Sequence, residues 1–296
     1  MVVLAELRDR FPAIDGWLMQ VQGLLDPRRV LLIPEDEALH LAWRSQHGWE
    51  MSTMVLPPDL CRSGHPLNHE VLGETIADLL LERGFSLPQV EVELLLPLIS
   101  CHWRLLEGTA SAALTCGDDL RALQPELGWS LPLKDYYLDL LPQPQGDSAL
   151  VVGTERRLLQ AWADTLEKAD LPLRRAEWLL SAGWRGLCDA HAGADEHLVW
   201  LVEQQGRWRL LLLSNGCPEV DLSLQALEQP ALRDEVLGLV ETWAPVGLPG
   251  WWVTAAPQWQ GCWAAEHDSL RGPLRSNAEM SLLDLALTAS LGARDA

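Results

Sequence analysis

The sequence predicts an α/β fold built twice over, two lobes that each run β-β-β-α-β-α, with a small α+β subdomain inserted after the first. Three observations predict it. Three short runs with strand patterning crowd residues 30–56, and three more crowd residues 198–224. Each trio is followed by a helix-patterned segment and a further apolar strand. Between two of the later runs stands Asn215-Gly216, the pair best suited to a two-residue hairpin turn with two positive-φ positions.

The elements follow in order. Residues 3–25 have helical periodicity through Leu4, Leu7, Phe11, Ile14, Leu18 and Val21, divided by Pro12, and form a leader over 1–28. Strands are expected at 30–33, 38–44 and 50–56, the last two joined by a turn at "HGW". In "PLNHEVLGETIADLLLERGFS" Asn68 caps a helix whose apolar face holds Val71, Leu72, Ile76, Leu79 and Leu80, and Gly84 ends it. The strand "VEVELLLP" closes the first lobe, 29–99. The insert, 100–170, holds "SCHWRLLEG", a helix in "TCGDDLRALQPELGW", a strand in "LPLKDYYLDLLPQ", the strand "SALVVGTE" and the helix "RRLLQAWADTLEKADL". Asp118 or Asp119 favours the positive end of the first of those helix dipoles and needs no catalytic role. "LPQPQGDS" is a turn-rich loop within the insert. The second lobe, 171–296, holds the meander "LVWLVEQQGRWRLLLLSNGCPEVDLSL", the helix "ALRDEVLGLVETW", the strand "GWWVTAA" and the helix "AEMSLLDLALTASLG".

Composition narrows the function. With 42 acidic against 22 basic residues the net charge is -20, which repels phosphate backbones and anionic lipid, so nucleic acid is excluded as a partner. Lysine occurs at Lys134 and Lys168 alone, which leaves little for amine catalysis. The six cysteines contain no C-x-x-C pair and read as reduced thiols of a cytoplasmic protein rather than a disulfide or zinc framework. Charges at Glu6, Arg8, Asp9 and Arg10 interrupt the apolar start, and no stretch is long enough to cross a membrane, so direct insertion is not expected. The 15 tryptophans fall mostly in strand patterns and read as core, although a Trp-lined module for peptides or small ligands is a competing class.

A family resemblance rests on this order and on particular stretches. The Tyr-Tyr-Leu-Asp strand, the "VV" strand leading directly into a long helix, and the return "ADLPLRRAEW" resemble the inserted subdomain of the bacterial PilM family. Close relatives of that family are the cytoplasmic part of GspL and the cell-division protein FtsA. The similarity spans roughly residues 29–292 and implies an actin-like, ribonuclease H-like duplicated fold. It further implies a non-catalytic cytoplasmic scaffold of a type IV pilus or related secretion machine, peripheral to the inner membrane through its partners. The family's partner is the cytoplasmic tail of the membrane protein PilN, held beside the inserted subdomain around Cys101 to Leu106 and Leu120 to Leu131, with the first lobe; a pilus assembly ATPase is a further expected partner. The alternative is a nucleotide-binding ATPase or phosphotransferase of the same superfamily.

The nucleotide motifs of that superfamily are degraded in this chain. Where the first hairpin carries D-x-G in nucleotide-binding members, this sequence has "IPEDEAL", with Pro34 and Glu35 in place of a flexible glycine. Proline has no N–H to offer, and three adjacent carboxylates oppose a polyphosphate. A Mg²⁺ held by Glu35, Asp36 and Glu37 would reverse that sign, but consecutive turn residues point in different directions. At the second hairpin Glu203 replaces Asp, Gln204 and Gln205 replace small residues, and Gly206 keeps the bend; at the adenine-side turn Ala255, Ala256 and Pro257 stand where Gly-Gly belongs. The expectation is no cofactor and no metal, with residual ATP and Mg²⁺ binding as the alternative. Other constellations are weaker. His65 and His69 with Cys61 and Glu70 nearby lack a common helix face for zinc, and Cys101-His102 or His191 with Asp189 compose a catalytic pair only on paper, with no G-x-S-x-G elbow.

Overall fold

The structure is a computed structural model describing residues 27–107, 120, 131–142, 148–191, 196–224, 229–243, 248–255 and 281–292. The leader helix expected before residue 27 and the helix expected at 115–129, apart from buried Leu120, lie outside them. The strands in chain order are β1 Arg28–Pro34, β2 Ala38–Ser45, β3 Gly48–Val55, β4 Cys61–Arg62, β5 His65–Pro66, β6 Val90–Leu96, β7 His102–Glu107, β8 Tyr136–Pro142, β9 Ser148–Glu155, β10 Leu173–Trp178, β11 His197–Gln204, β12 Arg207–Ser214, β13 Cys217–Leu224 and β14 Gly250–Thr254. The α-helices are α1 His69–Glu82, α2 Arg156–Lys168, α3 Leu179–His191, α4 Gln229–Trp243 and α5 Leu282–Gly292.

The chain divides into two compact units. The first holds the described residues up to Ser100 together with Glu155–Glu177, so α2, read from sequence as the end of the insert, falls in this unit, against α1 and β5. Its five-stranded sheet has the order β10-β6-β1-β2-β3. β1 lies at the centre, antiparallel to β2 and parallel to β6 with Val30 opposite Val92, and its residues 30–34 are all buried, as a central strand covered on both faces requires. α1 provides the crossover from β3 to β6. Asn68 caps it by accepting the Val71 N–H, and its end is a Schellman turn in which Phe85 N–H reaches the Leu80 carbonyl and Gly84, at φ +78°, reaches Leu81. Its buried stripe is Leu72, Gly73, Ile76, Leu79 and Leu80. Val71, expected on that face, is 43% exposed, because it lies about 100° from Leu72 on the side opposite to Gly73. Against α1 lies α2, so close at Gly73 that a Cβ there would stand 2.6 Å from the Thr165 carbonyl oxygen.

The second unit holds the described residues of Cys101–Thr154 and Trp178–Ala296. One sheet runs β13-β12-β11-β14 and a smaller one β7-β9-β8. β11, β12 and β13 form the expected meander, and β14 pairs parallel to β11 with Trp200 opposite Trp252. The Asn215-Gly216 turn has φ +50° and +77°, the two left-handed positions its sequence predicts. α4 covers this sheet through Leu232, Val236 and Val240, packed on Val199, Leu201, Leu210 and Trp251. Helix α3, which the sequence patterning did not suggest, pairs with α5. Among the described residues no helix is long and apolar enough to cross a membrane.

Candidate functional site

The first hairpin of the first unit holds the sequence-predicted positions Pro34 and Glu35. Pro34 ends β1 opposite Leu39 and is buried, and the Glu35 N–H donates back across the turn to the Ala38 carbonyl at 2.8 Å. The three carboxylates then go three ways. Glu35 Oε2 lies 3.4 Å from His40 Nε2, Asp36 Oδ1 accepts the Ser63 N–H, and the Glu37 side chain is exposed while its carbonyl accepts the Leu56 N–H at 2.9 Å. Ser63 and Gly64, at φ +51° and +77°, make the turn of the small β4–β5 hairpin that Asp36 thereby anchors. Gly64 is required twice over, by its φ of +77° and because a Cβ would come within 2.5 Å of Pro97 Cγ; its carbonyl accepts the Trp162 Nε1–H at 2.8 Å.

This hairpin also explains the His/Cys group. Cys61 is buried, its thiol pushed up to about 12 chiefly by desolvation and further by the Asp36 charge. His65 is lowered from its ordinary value by burial, and His69 directs Nδ1 at the Ala161 carbonyl and the Thr165 hydroxyl, both 2.9 Å away. Among the described residues no three His, Cys, Asp or Glu side chains gather as a metal site.

The matching hairpin in the second unit closes on itself as well. Gln205 and Gly206 stand at φ +56° and +73°, and the buried Glu203 carboxylate accepts the Gly206 N–H at 2.6 Å. That is a type I′ turn stapled by its own acid, with Gln204 buried alongside. Ala255 is buried after β14, next to Thr254, whose hydroxyl accepts the Trp200 Nε1–H; Ala256 lies outside the described residues, as do Pro257 and the side chains of Asp189 and His191.

One cluster was not anticipated. Arg209 on β12 is buried and pairs with Asp221 on β13, Nε to Oδ1 at 2.5 Å and Nη2 to Oδ2. Asp221 Oδ2 also accepts the Trp103 Nε1–H from β7, and the Arg209 guanidinium lies 5.6 Å from the Trp103 ring centroid. Cys101, buried beside them, has its thiol pushed up to about 12, burial outweighing the favourable Arg209 charge. His102 instead meets Tyr136 edge-on, so the adjacent Cys and His do not converge. The signal in the sequence was an Arg inside the apolar run "WRLLLL", a charge that a buried strand keeps only if it is paired.

The two thiols allow a check. Iodoacetamide should leave Cys61 and Cys101 unmodified in the folded chain from about pH 7 to about pH 10 and label them after unfolding. Both folded-state values, about 12, lie above the ordinary 9, so the unfolded chain loses these protons first. Stability therefore falls as pH rises above about 9. Labelling of either thiol in the folded chain near neutrality would contradict the assigned burial.

No protein-family model matches this sequence, and no curated protein matches it. Solved structures do match. A chain of a PilM-PilN type IV pilus biogenesis complex aligns with a TM-score of 0.67 at 16% identity, covering 91% of this chain and 98% of that one. A Bacteroides thetaiotaomicron protein with an actin-like ATPase fold and unknown function aligns at 0.58 and 6% identity, covering 89% and 96%. The cytoplasmic domain of EpsL, an inner-membrane component of the type II secretion system of Vibrio cholerae, aligns at 0.53 and 16% identity, covering 89% and 94%. The chain therefore has the actin-like fold, in the form it shares with the PilM-PilN complex chain and with cytoplasmic EpsL.

Proposed function

We propose that this chain is a non-catalytic actin-fold scaffold of a type IV pilus or related secretion assembly platform. It binds the cytoplasmic tail of a PilN-like membrane protein and is held at the inner membrane from the cytoplasmic side by such partners. A pilus assembly ATPase with an exposed basic face is a second partner suited to a net charge of -20. The observation that carries the reading is the alignment with the PilM-PilN chain over 98% of its length. The two hairpin turns support the non-catalytic part. Each uses a backbone N–H within itself, at Glu35 and at Gly206, and the first has a buried proline without an N–H and turns the exposed Glu37 carboxylate to whatever approaches. An anion meets repulsion there rather than a cradle.

Two measurements test this. A synthetic peptide of the cytoplasmic tail of a PilN-like protein should co-purify with this chain in low salt; its failure to bind removes the scaffold assignment. ATP with Mg²⁺ should leave the thermal midpoint unchanged. A nucleotide-binding ATPase, the second class, would instead gain about 2.7 kcal/mol at ligand 100-fold above Kd.

A further inference from the structure

Strand β3 is an edge of the five-stranded sheet among the described residues. β2 pairs with it over its whole length, from Ala38 opposite Val55 to Ser45 opposite Gly48, without a shift in register. Edge strands are ordinarily protected by lysine, proline, a bulge or brevity, because their outward N–H and C=O groups otherwise recruit another strand. β3, "GWEMSTMV", has eight residues and none of these devices. Its one charge is the exposed Glu50, whose carboxylate accepts the Nε1–H of its cross-strand neighbour Trp43 on β2. Alternation puts Met51, Thr53 and Val55 on one face, and Met51 and Val55 are 51% and 80% exposed. At the Val55 end lies the acidic turn, where the Leu56 N–H bonds the Glu37 carbonyl and the side chains of Glu37 and Asp59 are exposed.

The geometry points to β3 as a docking edge for an extended segment of a partner protein. That segment adds a sixth strand, places apolar residues at alternate positions over Met51 and Val55, and carries an arginine or lysine where it passes Glu37. Main-chain pairing supplies the register, the two exposed apolar side chains supply selectivity, and the acidic turn sets the sign of the ligand's end. A second copy of this chain is the poorer occupant. It brings another net charge of -20 to an apolar footprint of two side chains. The inference rests on the first unit alone and does not depend on the pilus reading.

The test uses the full chain and two peptides, Arg-Val-Thr-Val-Thr-Val-Arg and its Glu-capped counterpart, with amide hydrogen exchange as the site-specific readout. The Arg-capped peptide should slow exchange at the alternate amides of residues 48–55 that point away from β2 and leave β13 unaffected. The double variant Met51→Lys/Val55→Lys and the single variant Glu37→Lys, all at exposed positions, should each bind it at least about tenfold more weakly with unchanged thermal midpoints. Absence of protection at about millimolar peptide would overturn the proposal. So would equal binding of the Glu-capped peptide, or slow exchange in the peptide-free chain at the β3 amides that point away from β2, which would mean that the chain covers its own edge. A concentration-dependent dimer abolished by the double Lys variant would give the edge to a second copy instead and end the assignment to a cationic partner.

Discussion

Replacing Gly186 with alanine will lower stability by about 2–3 kcal/mol, and with valine by about 4 kcal/mol, while the same alanine change at Gly183 will stay close to neutral. The two glycines lie on one face of α3, against α5, and differ in what a Cβ would meet. At Gly186 it would overlap the Leu285 carbonyl and lie 2.8 Å from Thr288 Oγ1. Backbone held by a helix has nowhere to go, so α5 must move as a whole. At Gly183 the obstacle is Leu282 Cδ1 at 2.5 Å, the far end of a flexible side chain that rotates away. Alanine also raises helix propensity by about 1 kcal/mol over glycine, which offsets the small clash at 183 and not the large one at 186. Urea midpoints at constant m-value separate the cases, and Gly186→Ala matching Gly183→Ala within about 0.5 kcal/mol would show that the helices are not in backbone contact.

The same residues show what a sequence hides. In α3 the glycines Gly183 and Gly186 interrupt an otherwise helix-forming "LLSAGWRGLCDAH", and those same glycines are what allow α5 to approach. The order of strands was legible wherever alternation and turn chemistry agreed, as at Asn215-Gly216 and in β1 to β3, and α1 was legible at both ends because Asn68 and Gly84 act locally. Interactions between segments distant in sequence were not. Asp36 reaching Ser63 and His69 reaching α2 depend on how α1 and the β4–β5 hairpin fold back, which no spacing encodes. For the candidate site, the proline and the carboxylates could be read directly, but the return of the Gly206 N–H to Glu203 depends on the left-handed turn at Gln205 and Gly206, which no spacing encodes. Val71 failed for a simpler reason: an apolar residue at the start of a helix extends a face on paper while pointing aside in space.

The second large effect is expected in the Arg209–Asp221–Trp103 cluster. Asp221→Asn should destabilise the chain by about 3 kcal/mol, and Arg209→Met by a comparable amount, since each single change breaks a bidentate charge pair in a largely buried strand pair. The asparagine retains an oxygen for the Trp103 Nε1–H, so its cost isolates the charge rather than the hydrogen bond. Arg209→Met/Asp221→Leu removes both charges and keeps apolar volume. If the cost of a single change is that of a stranded charge, the double variant recovers most of the loss, with Trp103 bearing the residue of the penalty as an indole N–H lacking its acceptor. Urea unfolding of the three variants gives the cycle, and a double variant as unstable as the sum of the singles would mean that the cluster acts through shape. Because Trp103 begins the small sheet while Arg209 and Asp221 belong to the larger one, the stranded charge should also raise hydrogen exchange in β7 more than in β11. An equal rise in both strands would mean that the pair stabilises the whole unit and gives β7 no particular hold.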